Sequence, residues 1–309
     1  MSPALRDVFA PELSAVPLRQ PFTVLDGGLS TALEELGESP VGPLWAAAPI
    51  VDRPSLITAA HRRYVDAGAD VIITSSYQAS EAGLVAAGLE PTAARRVLAS
   101  TTAVARASGA AIVACSIGPF GACLADGSEY HGRYSASWSQ VRAFHRARLE
   151  VLVDTEPDLF AIETIPTAIE AEIIVDVLRS LTTAPAWVSF SCKDDAHTCG
   201  GELLSDAVAR VVADVDAIGV NCTAPHMVAP LLRSLSVDGP LAVPLLAYPN
   251  HGAHWNADLR NWAGHAEGSD IPGLVPSWIA AGARIIGGCC GVGSSGIAEL
   301  VAVRASLAN

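Results

Sequence analysis

The chain has 309 residues, half of them hydrophobic and only 17% charged, which is enough apolar material for one large buried core. Its formal net charge of −13 argues against a surface built for nucleic acid or an anionic membrane, because binding phosphate requires clustered Lys and Arg, and Lys193 is the sole lysine. No uninterrupted apolar run reaches the ~18 residues of a membrane span, so a membrane partner is not expected. The opening stretch "MSPALRDVFAPELSAVPLRQ" lacks the basic start and apolar block of a secretory signal.

Residues 1–20 read as a surface lead-in segment, and residues 21–309 as one domain without a linker or compositional break. From Phe22 onward a unit repeats: a short, nearly continuous apolar run, then a longer amphipathic stretch. The apolar runs are "FTVLDGG" (22–28), "DVIITSSY" (70–77), "AIVACSIG" (111–118) and "LFAIETIP" (159–166). Four more follow: "AWVSFSC" (186–192), "AIGVNCT" (217–223), "LAVPLLAY" (241–248) and "RIIGGCCG" (284–291). Runs of that length and apolarity are expected of strands buried on both faces.

Helical periodicity fills the intervals, at 55–69, 92–109, 167–182, 203–215, 274–283 and 295–307, with apolar residues at three- and four-residue steps. Eight strands alternating with helices predict an α/β fold, a (β/α)8 TIM barrel. The rival, a doubly wound open sheet, usually carries a G-x-G-x-x-G turn after its first strand, and "DGGLSTALEELG" is not one. The stretch 119–135, "PFGACLADGSEYHGRYS", is longer than a routine strand-to-helix turn.

In such barrels the chemistry sits at the C-terminal strand ends. The first strand ends in Asp26, the second in Tyr77, the fourth in Glu163 and the sixth in Asn221 and Cys222. The seventh ends in Tyr248 and Asn250, and the eighth in Cys289 and Cys290. A disulfide between adjacent cysteines is strained, so Cys289 and Cys290 read better as two metal ligands with Cys222 as the third. Three thiolates suit zinc and leave a fourth position open to a substrate. Gly287, Gly288 and Gly291 let the backbone fold closely around the site.

Blander readings stand beside these. Asp26 before Gly-Gly also suits a turn or helix cap, and Tyr77 and Trp45 also suit core packing. Glu163, inside "FAIETIP", would be a costly unpaired carboxylate unless a ligand meets it. Cys115, Cys123, Cys192 and Cys199 read as ordinary thiols. His251 and His254 read as surface or hydrogen-bonding residues. Seven cysteines without an export signal point to a reducing compartment, the cytoplasm.

The motifs "DGGLSTALEELG", "ITSSYQAS", "SIGPFGACLADGSEYHGRY", "IETIP", "GVNCTAP", "AYPNHG" and "GGCCG" stand in the order found in the homocysteine S-methyltransferase family. The chain resembles that family from about Phe22 to Leu307, and within it the branch that uses S-methylmethionine or S-adenosylmethionine. The betaine-dependent branch is more distant. The resemblance implies Zn2+ on Cys222, Cys289 and Cys290, with Asp26 and Glu163 holding the ammonium of homocysteine. It implies further that the backbone at Gly27 and Gly28 receives the amino-acid carboxylate and that Tyr77 lies near the metal. Asn221, Asn250 and Trp45 would shape the pocket.

The expected partners are therefore two small molecules, homocysteine and a sulfonium methyl donor. Moving a methyl group needs a thiolate acceptor, and a free thiol with a pKa near ~8.5 is mostly protonated at neutral pH. The 119–135 excursion is the candidate donor-side wall, offering Asp126, Glu129 and Tyr130 to a cation. Two rival functions differ in class: a metal-dependent barrel hydrolase, which normally uses His and Asp ligands, and a non-catalytic zinc- or thiol-binding relative. No added dimerisation arm is evident, so a monomer or weak homodimer is expected.

Overall fold

The computed structural model describes residues 8–9, 20–38, 48–124, 126–237, 239–252, 254–256, 261–263 and 270–308. Eight parallel strands form a ring with helices between them. They are β1 (Thr23–Val24), β2 (Val71–Ile73), β3 (Ile112–Ile117), β4 (Leu159–Ile165), β5 (Ala186–Phe190), β6 (Ala217–Asn221), β7 (Leu245–Tyr248) and, last in the chain, β10 (Ala283–Ile286). Their order is β1-β10-β7-β6-β5-β4-β3-β2. The ring closes between β1 and β2 through a parallel Leu25–Val71 bridge, with Asp26 N–H donating to Val71 O at 3.1 Å.

Alternation along the strands builds two apolar layers. Leu25, Val71, Ile112, Ala114, Leu159, Ala161, Trp187, Ala217, Leu246, Tyr248 and Ile285 fill the barrel interior. Their neighbours Val24, Ile72, Val113, Phe160, Val188, Ile218 and Ile286 pack outward under the helices. That is why every strand reads as apolar throughout: both faces are inside. Gly219 lies where a Cβ would collide with the Leu246 carbonyl of the adjacent strand, so the close approach of β6 and β7 requires glycine.

The helices begin where the chemistry of their first turns allows. Pro54, Pro91 and Pro225 each occupy the first helical position. Ser137 and Gln140 form a reciprocal capping box at the start of Trp138–Val153. Three departures from the sequence reading have physical causes. The periodicity at 203–215 breaks into a helix, Leu204–Ala209, and a tight 3-10 turn, Val212–Asp214. A helix at Pro225–Ser234 carries Pro230 inside it, which hides it from pattern reading. An antiparallel pair, β8 (His254–Asn256) and β9 (Asn261–Ala263), is too short to show a period of two.

The lead-in is also corrected in part: Val8 and Phe9 are buried, in the interior cluster that holds the strand-start residues Ile112, Leu159 and Ala217. They are apolar and take core surface that a surface segment would have left open.

At that end a device repeats. Asp70, just before β2, accepts Val24 N–H of β1 at 2.7 Å and pairs with Arg304. Asp158, before β4, accepts Val113 N–H of β3 at 2.8 Å and pairs with Arg106 at 3.0 Å. Asp216, before β6, accepts Ala186 N–H of β5 at 2.9 Å and pairs with Arg179 at 3.3 Å. Each carboxylate stitches two strands by satisfying a ladder-end amide, and a helix supplies its counter-charge.

Candidate metal centre and substrate pocket

At the opposite rim the sulfur atoms of Cys222, Cys289 and Cys290 lie within 4.8 Å of one another. Cys222 Sγ is 3.7 Å from Cys290 Sγ, and Cys289 Sγ is 4.0 Å from it. Disulfide bonding needs about 2.05 Å, and all three are free thiols. A tetrahedral metal with bonds of about 2.3 Å to sulfur needs S···S edges of about 3.8 Å. The two edges at Cys290, 3.7 and 4.0 Å, have that spacing.

Backbone geometry explains how it arises. Cys222 follows β6 with φ of +48°, a left-handed conformation costing about 1–3 kcal/mol outside glycine. The turn is braced: Cys222 N–H donates to Tyr248 O at 3.1 Å, and Asn250 Nδ2 donates to Cys222 O at 3.2 Å. Cys289 N–H donates to Pro249 O at 2.8 Å, and Gly288 N–H to Asp26 O at 3.0 Å. A Cβ at Gly287 would come within 2.5 Å of Leu25 Cβ, so this approach of β10 to β1 excludes side chains. The His251 backbone N–H donates to Cys290 O at 2.9 Å, and its imidazole Nδ1 stands 3.2 Å from the same oxygen.

The three thiols, one buried and two partly buried, shift one another's ionisation in opposite directions. Cys290 is drawn well below its ordinary value by hydrogen bonds from Cys222 and Cys289. Cys222 is pushed well up, chiefly because it donates hydrogen bonds to its two partners and then because it is buried. Full ionisation of the trio needs a multivalent cation among the sulfurs.

Beside the thiols stand two carboxylates without a cationic partner. Asp26 is 3% exposed; its Oδ2 accepts Ile73 N–H at 2.8 Å, while Oδ1 has no partner. Burial, then Glu163 and Cys289 as like charges, raise its pKa well above the usual range. Glu163 accepts a short hydrogen bond from Ser116 Oγ and another from Tyr248. Burial pushes it up to about 8. These two groups share one electrostatic neighbourhood with Cys289, and the positive charge of Arg148 offsets the burial of Glu163 only in part.

Asn221 fixes Glu163 from behind. Thr164 sits at φ +60°, and Asn221 holds that turn at both ends: Oδ1 accepts Thr164 N–H at 2.7 Å and Nδ2 donates to Thr164 Oγ1 at 2.8 Å. Gly28 donates its N–H to Val292 O at 3.1 Å. A Cβ on Gly28 would reach 2.8 Å from Cys289 O and 3.2 Å from Cys290 Cα, and one on Gly27 would strike Val292 O. Glycine at both positions lets the first strand end pack directly against the backbone that carries Cys289 and Cys290. The Tyr77 phenol bonds to Thr164, with Glu129 and Cys222 as electrostatic neighbours. Its ring lies on Gly118, where a Cβ would come within 2.6 Å.

The 119–135 excursion folds as a helical turn, Phe120–Leu124, and a 3-10 turn, Ser128–Tyr130. Tyr130 lies in the electrostatic field of Cys222 and Cys290. Glu129 is 9% exposed. Asp126 is exposed and spends its Oδ1 on Ser128 N–H at 2.9 Å, closing a turn. Trp45 lies outside the described residues.

A family model described as homocysteine S-methyltransferase matches residues 23–303. The chain belongs to the homocysteine S-methyltransferase family. It is 39% identical to the homocysteine S-methyltransferase of Escherichia coli K12, over 94% of this chain and 97% of that one. It is 35% identical to homocysteine S-methyltransferase YbgG of Bacillus subtilis, over 93% and 96%. Against homocysteine S-methyltransferase 1 of Zea mays it is 37% identical, over 86% and 89%. The metallated form of the E. coli enzyme MmuM superposes with a TM-score of 0.80 at 38% identity, covering 92% of this chain and 96% of that one.

Three supporting residues escape the strand-end reading. Ser116 is internal to β3, and its hydroxyl aims at Glu163. Arg148, fully buried, donates to Gly118 O at 3.0 Å, Ser76 O at 2.5 Å and Tyr77 O at 2.7 Å, tying the ends of β2 and β3 together. The signal was present: a charge on the apolar stripe Val141, His145, Leu149, Leu152. Glu170, wholly buried, accepts Phe120 N–H at 2.6 Å, Tyr134 OH at 2.6 Å and His145 Nε2 at 3.0 Å. It anchors both ends of the excursion.

Proposed function

We propose that this chain moves a methyl group from a sulfonium donor, S-methylmethionine or S-adenosylmethionine, to the sulfur of L-homocysteine, giving methionine. The observation that carries the reading is the meeting, at one barrel rim, of a cluster of three sulfurs with two buried carboxylates whose desolvation is largely uncompensated. Cys222, Cys289 and Cys290 would hold the metal, and the all-thiolate set favours zinc. Bound there, zinc supplies a mild Lewis acid that keeps the homocysteine sulfur ionised at neutral pH.

The other residues bind and orient. Asp26 and Glu163 receive the substrate ammonium; Asp26 Oδ1 is the open acceptor, and Glu163 is aimed by Ser116 and Tyr248. Because burial holds Glu163 near 8 without substrate, its carboxyl carries a proton at pH 7 and releases it when the ammonium docks. The substrate carboxylate lies along Gly27 and Gly28. Asn221 and Asn250 keep the Glu163 and Cys222 turns in their left-handed conformations. The methyl group must be attacked in line, so positioning two substrates is the protein's main task.

No helix among the described residues is long and apolar enough to cross a membrane. A cytoplasmic enzyme fits seven cysteines that all stand as free thiols. The test is methionine formation from homocysteine with each sulfonium, alongside metal quantification, before and after chelation. Turnover with at least one sulfonium, lost on chelation and regained with zinc, is expected. Turnover undiminished in fully demetallated protein would refute the reading.

A further inference from the structure

The methyl donor carries a positive charge into a site crowded with buried negative groups, and something must select it over its neutral thioether. Glu129 is the group that substrate binding as described above leaves unused. It is more than nine-tenths buried, and its Oε2 has no hydrogen-bond partner. Its carboxylate accepts its own backbone N–H, and Asp126 acts on it as a like charge. An isolated carboxylate in that position is costly unless a cation arrives.

Placement argues against an accident of a loose loop. Glu170 ties the excursion down at Phe120 and Tyr134, and Phe120 and Tyr134 pack edge to face at 5.2 Å. The helical turn rests on the 3-10 turn so closely that a Cβ at Gly121 would come 2.5 Å from Glu129 N. From this anchored position Glu129 lies in the electrostatic neighbourhood of Tyr77, Tyr130 and Cys290. Asp126, by contrast, is committed to its turn.

We propose that Glu129 is the donor-specificity residue: its free carboxylate oxygen pairs with the positive charge of the methyl donor. The inference rests on the methyl-transfer reading above. It also fixes a kinetic signature. Transfer of the methyl group from a sulfonium to a thiolate destroys charge, so a carboxylate beside the cation stabilises the bound donor more than the transition state. Such a group lowers donor KM without raising kcat.

The test uses the zinc-loaded full chain and two probes, S-methylmethionine as substrate and trimethylsulfonium, which has a sulfonium but no ammonium, as competitor. Glu129→Gln should raise the S-methylmethionine KM by about ten- to a hundredfold, the worth of a charge-assisted hydrogen bond. It should leave kcat equal or higher, and homocysteine KM and zinc content unchanged; Glu129→Asp should recover part of the loss. Weaker trimethylsulfonium binding in Glu129→Gln identifies the sulfonium as the paired cation, and weakening of S-methylmethionine alone identifies the donor ammonium. Donor KM and trimethylsulfonium affinity both within twofold of wild type would overturn the proposal. So would an equal loss of zinc or homocysteine binding, which would make Glu129 a structural residue. Absence of turnover in the wild type would instead strike the methyl-transfer reading, and equilibrium dialysis of trimethylsulfonium would still report on Glu129.

Discussion

The two ends of the barrel use carboxylates in opposite ways. At the strand starts Asp70, Asp158 and Asp216 each accept a backbone amide and meet an arginine, so each charge is matched within the chain. At the strand ends Asp26, Glu163 and Glu129 are buried, and two of them keep an oxygen without a partner. The first end is finished when the chain folds. The second is complete only when cations arrive. Unmatched buried charge therefore separates the working rim from the structural one without reference to any ligand.

The largest effect expected of this contrast lies at the sulfurs. Cys222→Ser or Cys290→Ser should abolish zinc retention and cut turnover by at least about a hundredfold, since even residues that merely support metal ligands are worth 10–100-fold. Metal quantification together with a methionine assay checks this, and near-normal zinc and activity would break the assignment. Next come the ammonium acceptors. Asp26→Asn and Glu163→Gln should cost about 2–5 kcal/mol of homocysteine binding, the range for truncating a buried charged partner. Their zinc content should not change.

The pH dependence of stability sharpens the contrast further. Glu163 has its folded-state pKa raised to about 8 from an ordinary 4.5, and Glu129 to about 7, in both cases chiefly by burial. Between the ordinary and raised values the folded chain holds protons that the unfolded chain has released. Stability therefore falls as pH rises through that window, from about 4.5 to 8. Metal-free protein should melt at a lower temperature at pH 8 than at pH 5.5, and Glu163→Gln should remove part of the slope. A flat profile would mean that water or counter-ions already satisfy the pocket.

The smallest effect belongs to the other end. Asp158→Ala should cost about 1–2 kcal/mol of stability, the worth of its hydrogen bonds plus a mostly exposed ion pair, and should leave both KM values unchanged. A change in donor or homocysteine KM would show that the two rims are not independent.

The contrast was only half legible in the sequence. Strand order and the converging thiols follow from apolar runs and from which residues end them, because a strand buried on both faces leaves a plain signature and its last residue faces the rim. Val8 and Phe9 read by position as surface residues although they are buried. Ser116 and Arg148 act across strands through contacts between residues far apart in sequence, which no local pattern encodes. Asp126 and Glu129 look alike in "LADGSEY", and only burial tells the turn residue from the unpartnered one.

X-ray absorption at the zinc edge, on protein with and without homocysteine, tests the central claim most directly. Three sulfur neighbours at about 2.3 Å, becoming four on addition of homocysteine, are expected. A shell dominated by nitrogen and oxygen, or a sulfur count that homocysteine leaves unchanged, would contradict it.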